Sequence, residues 1–70
     1  MRAMEFQVCR RGREPRWMVM LGNSLYGESS LYGAYRDKEQ AILDAARDAL
    51  QAGCEAKVWV KDRSSIARVF

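Results

Sequence analysis

The groups of this chain that could do chemistry are five serines, nine carboxylates and two cysteines, and there is no histidine. A serine becomes a nucleophile only with a base in hydrogen-bond reach, and Ser24, Ser29, Ser30, Ser64 and Ser65 have neither a histidine nor a lysine dyad to serve them. Asp44 and Asp48 sit four apart on a helix face that reads as solvated, where neither is set up for acid–base work. The stretch GESSLYG, residues 27–33, has the composition of a glycine-rich phosphate loop. Such a loop opens directly into a helix, however, and here several residues and a short strand are expected to intervene. Cys9 and Cys54 are far apart, in no CxxC spacing, and cannot complete a four-ligand zinc site. They read as free thiols packed as small hydrophobes. The expectation is a non-enzymatic chain with no metal and no cofactor.

What remains is the chemistry of contact. In AKVWVK, residues 56–61, Val58 and Val60 alternate with Lys57, Trp59 and Lys61. In WMVML, residues 17–21, Trp17, Val19 and Leu21 alternate with Met18 and Met20. A tryptophan and two methionines beside lysines, all on one sheet face, form a contact surface of Trp59, Lys57, Lys61, Met18 and Met20. Arg10, Arg11, Arg13 and Arg16 of RRGREPR form its electrostatic rim. Two uses compete. The face pairs with its own copy or another protein, apolar at the centre and charged at the rim. Alternatively it takes a nucleic-acid strand, with rings stacking on bases and cations tracking phosphates. Against the second, a net charge of +3 with nine acids is a weak footprint, and no KH glycine loop or RRM aromatic octapeptide is present. A partner's strand on a sheet edge, or a small ligand, is a further use.

The elements that must position these residues are organised around one helix. Asp37 reads as its N-cap, with Gln40 three residues on completing a capping box, and Gly53 as its left-handed stop. At about 100 degrees per residue, Ala45, Ala49, Ile42, Ala46, Leu50 and Leu43 share an apolar arc. Gln40, Asp44, Arg47, Asp48 and Gln51 lie opposite, with Asp44 and Arg47 spaced for a weak pair. An alanine-rich face lets the helix approach a sheet closely, and the sheet must supply the large side chains.

Before the helix, Met4 to Cys9 alternates as a first strand, and 10–16 is a loop containing Gly12 and the only proline. Trp17 to Leu21 makes a hairpin with it, GNSLYGESS (22–30) is a loop, and Leu31 to Tyr35 reads as a short third strand that Gly33 weakens. After the helix come strands over 56–61 and 66–70, joined by a turn at DRSS. The fold class is α+β: a four- to five-stranded antiparallel sheet, in chain order β-β-(β)-α-β-β, covered on one face by one helix.

Seventy residues make one domain, 1–70, burying only about 60% of the surface exposed on unfolding. No apolar run approaches the roughly 20 residues that span a bilayer, and the N-terminus lacks a signal-peptide core, so a cytoplasmic protein with no membrane partner is expected.

Trp17 to Val19 as W-x-V, then YRDKEQAILDAARDAL (35–50), then KVWVKD (57–62) and a final short strand resemble the small bacterial family called Domain of Unknown Function 2188. Its helix start, T-K-x-E-A-x-x-x-A-R, is similar to Asp37, Lys38, Glu39, Gln40, Ala41, Ala46 and Arg47, with Asp in place of Thr. The resemblance covers most of the chain from Trp17 onward and includes neither the arginine-rich loop nor the GNSLYGESS loop. It implies a sheet-and-helix domain of bacteria and phages and brings no catalytic residues with it.

Overall fold

The structure, a computed structural model, describes residues 2–10, 13 and 15–70. Its main helix forms where the caps place it. Asp37 is extended (φ −118°, ψ 124°), and its Oδ1 accepts the Glu39 N–H at 3.0 Å, so the helix runs Lys38–Gln51. The other half of the expected capping box does not form: Gln40 Nε2 donates to Asp44 Oδ1 at 2.8 Å instead. The expected Asp44–Arg47 pair is not made. Gly53 takes φ 74°; its N–H reaches Leu50 O at 3.1 Å, and the Cys54 N–H reaches Ala49 O at 2.9 Å. These two bonds close the helix in a Schellman motif.

Five strands form one sheet: β1 Ala3–Arg10, β2 Trp17–Leu21, β3 Ser24–Leu25, β4 Glu55–Asp62 and β5 Ser65–Arg68. A short helix, α1 (Glu28–Tyr32), follows β3, and the main helix is α2. The spatial order is β3-β2-β1-β4-β5. The expected antiparallel sheet is in fact mixed, because β1 runs antiparallel to β2 but parallel to β4. The cause is α2, which crosses the sheet and returns the chain to the end where β1 starts. β4 then runs beside β1 in the same direction.

α2 lies over β4 and β1. Its buried stripe is Ala41, Ala45, Ala46 and Ala49, pressed on Phe6, Val8, Val19 and Val58. Leu43 and Leu50, expected in that stripe, are 57% and 59% exposed. The stripe is centred on the alanines, where the helix can sit closest, and the two leucines fall on its flank beside Phe70.

The expected loop at 22–30 carries more structure. Gly22 (φ 63°) and Asn23 make a two-residue hairpin turn between β2 and β3, with Leu21 opposite Ser24. α1 then packs against β2. Ser29, fully buried, fills in for the missing length of β3: Val19 N–H donates to Ser29 Oγ (3.3 Å), and Ser29 Oγ lies 2.6 Å from Tyr26 O and 3.2 Å from Val19 O. The expected strand over Leu31–Tyr35 does not form. Leu31 and Tyr32 belong to α1 and are exposed, and only Tyr35 pairs, exchanging both backbone bonds with Trp17 at 2.8 and 2.7 Å. Among the described residues, no helix is long and apolar enough to cross a membrane.

Candidate functional site

Strand alternation sets the two faces. Phe6, Val8, Val19, Ala56 and Val58 are buried under α2, so Glu5, Gln7, Cys9, Met18, Met20, Lys57, Trp59 and Lys61 stand on the other face. No element of the described chain covers it.

The register arranges this face in rows. One row crosses all five strands: Leu25, Met20, Gln7, Trp59 and Arg68. The next holds Met18, Cys9, Lys61 and Ile66, and on the other side Glu5 stands beside Lys57. Trp59 is half-buried, and the Arg68 guanidinium carbon is 5.6 Å from its ring centroid. Around the ring is a shallow depression of about 310 Å³ that includes Gln7, Met20, Trp59 and Ile66.

At the carboxyl ends of the parallel pair β1 and β4 the face ends in a larger hollow of about 810 Å³, lined by Gln7, Cys9, Arg10, Arg13, Lys61 and Arg63. The two hollows share Gln7. Burial pushes the Cys9 thiol up from its ordinary 9.0, against the opposing pull of the Lys61 ammonium. The thiol is therefore neutral near pH 7 and acts as a small side chain rather than a nucleophile.

The residues named from sequence do not all meet. Trp59, Lys57, Lys61, Met18 and Met20 share the open face, and Arg13 joins them at its end. Arg10 alternates to the helix side. Its guanidinium lies 5.1 Å from the buried Trp17 ring, its Nε is 3.9 Å from Asp62 Oδ1, and it borders the large hollow only at the margin of the sheet. Lys38 approaches the same Trp17 ring at 5.7 Å. Arg16 borders a different depression with Glu28, Tyr35 and Asp37, away from Trp59. Arg11, like Gly12 and Glu14 of the same loop, lies outside the described residues.

Two cations of the face were not singled out from sequence. Arg68 follows from the alternation of β5 once its register against Trp59 is known. Arg63 was hidden in the DRSS turn, whose composition signals only a reversal of the chain.

Charge is unevenly distributed along the sequence. Residues 28–51 carry five acids against three bases, a net of −2, which leaves +5 of the total +3 on the rest of the chain. On the open face, the described cations Lys57, Lys61 and Arg68, with Arg13 and Arg63 at its end, face the carboxylates Glu5 and Glu55.

Comparison with known proteins finds no matching family model, no matching curated protein and no matching solved structure.

Proposed function

We propose that this chain is a non-enzymatic binding module whose open sheet face takes a single-stranded nucleic acid. One observation carries the reading: Trp59 stands half-buried on the open face, next to the central strand of a five-strand row, with Arg68 at its ring and Lys57 and Lys61 two residues to either side along β4. The open part of such a ring offers a base a stacking surface, where stacking is worth about 1–3 kcal/mol, and the surrounding cations release counterions from the phosphates they neutralise.

The same face supports a second copy less well. An isologous pair would bring the Lys57, Lys61 and Arg68 of both copies into one desolvated layer with few carboxylates to neutralise them. An anionic strand meets those cations with the complementary sign.

The test is a titration of a labelled mixed-sequence single strand with the full chain at low and moderate salt, with sedimentation of the protein alone. Binding that weakens steeply with salt, by a monomer, supports the reading. A salt-insensitive dimer that ignores the strand overturns it in favour of self-association.

A further inference from the structure

The large hollow at the end of the open face is more strongly charged than a groove for backbone phosphates requires. Four cations line it, Arg10, Arg13, Lys61 and Arg63, and its described lining contains no carboxylate. Arg10 lies 3.9 Å from Asp62, and among the described residues Arg13, Lys61 and Arg63 make no ion pair. The Gln7 amide adds a neutral donor at the side shared with the Trp59 depression. Lys61 is two residues beyond Trp59 on β4, about 7 Å along the strand.

Arg63 is also in an unusual place. It takes φ 58°, the one described non-glycine residue with a positive φ, at the first position of the two-residue turn between Asp62 and Ser65. Glycine or asparagine fits such a position with less strain. An arginine held there at a conformational cost, with its side chain on the hollow, fits a site in which the guanidinium is used.

We infer that this hollow binds the terminal phosphate of the strand whose bases lie on Trp59, so that the protein recognises a phosphorylated end. The inference rests on the nucleic-acid reading of the open face. An internal phosphodiester carries one negative charge, whereas a terminal monoester carries nearly two above its second pKa of about 6 and presents three acceptor oxygens. Three cations lining one concave site, Arg13, Lys61 and Arg63, match the second kind of phosphate. Arginine provides the paired donors that grip it.

The experiment compares four versions of one single strand, with 5′-phosphate, 5′-hydroxyl, 3′-phosphate or 3′-hydroxyl ends, against wild type, Arg63→Gly and Lys61→Ala. Wild type is expected to prefer one phosphorylated end by about tenfold, since charge-assisted bonds are the strong ones. That preference shrinks as the pH falls below about 6, where the monoester gains a proton and no histidine of the chain titrates. Arg63→Gly relaxes the turn, so the fold is retained. It is expected to lose the end preference while still binding the hydroxyl-ended strand.

Equal binding of all four ends by wild type overturns the inference and leaves the open-face reading standing. A preference that survives intact in both Arg63→Gly and Lys61→Ala also overturns it. Stabilisation of the protein by inorganic phosphate with no preference among the strands overturns it by assigning the hollow to a free anion. Failure to bind any strand overturns the open-face reading itself.

Discussion

Trp59 and Arg68 are cross-strand partners on β4 and β5, and the Arg68 guanidinium carbon lies 5.6 Å from the Trp59 ring centroid. The arginine therefore covers part of a ring that α2 leaves in the open. Arg68→Ala is expected to make Trp59 fluorescence more accessible to acrylamide, while the other tryptophan, Trp17, stays shielded at 7% exposure. Stability should move by no more than a surface substitution does, about 0.5 kcal/mol. Unchanged quenching would show that the contact does not persist in solution.

Ser29 holds the edge of β2 where β3 is only two residues long. Ser29→Ala removes the acceptor for the Val19 N–H and the donor to Tyr26 O in a site closed to water. A loss of about 1–3 kcal/mol is expected in urea unfolding, since the Val19 N–H is left buried without a partner. A loss under about 0.5 kcal/mol would mean that water or a shifted backbone takes over the bond.

Gly27 is the glycine whose replacement meets resistance on two counts. Its φ is 64°, and a Cβ there would stand 3.1 Å from Tyr35 Oη, the same oxygen that accepts the Glu28 N–H at 3.2 Å. Gly27→Ala is expected to destabilise by about 1–3 kcal/mol from the backbone alone, and more if Tyr35 must move. Gly53→Ala meets no neighbour within 4 Å and should lose less, at about 1 kcal/mol. Thermal denaturation of the two variants side by side checks the order, and a milder effect at Gly27 would contradict it.

Much of this fold is legible from residues alone, and the parts that are not have identifiable reasons. Asp37 and Gly53 mark the ends of α2 because capping is local chemistry, and both act as their residue types dictate. The faces of Val58 and Trp59 follow from the period-two pattern of a strand. That pattern is the same for parallel and antiparallel neighbours, so the pairing of β1 with β4 stays hidden until the path of α2 is known. Leu43 and Leu50 misled because the apolar arc of α2 is wider than the strip of sheet beneath it. GNSLYGESS reads as a loop by composition, and its order comes from a tertiary contact, the buried hydroxyl of Ser29 on Val19. Of the contact surface, the open-face set is readable by alternation. Arg10 departs because it is one residue past Cys9 and so turns toward Trp17.

Stability should decline on the alkaline side. Burial pushes the Tyr26 and Tyr35 phenols up from their ordinary 10.0, with Asp48 adding at Tyr26. At Tyr35 the Glu28 backbone N–H opposes the rise and the Asp44 carboxylate adds to it. The Cys9 thiol is raised from 9.0 by burial as well. In each case the fold favours the protonated, neutral form. The contribution is complete below the ordinary values and is lost as the pH climbs through them toward the raised ones. The urea midpoint should hold from neutral pH to about 8 and fall between about 9 and 11. Tyr26→Phe should lessen that fall, and a midpoint that holds through pH 11 would contradict the assignment.

The most direct test of the open-face reading is the affinity of wild type and Trp59→Ala for the same labelled single strand at two salt concentrations. Circular dichroism should show the fold retained, since Trp59 lies outside the core under α2. Wild type is expected to bind in a salt-sensitive way, and Trp59→Ala to lose about 1–3 kcal/mol, or roughly 5- to 150-fold in affinity. A variant that binds as tightly as wild type, or a wild type that does not bind at all, would contradict the open-face reading.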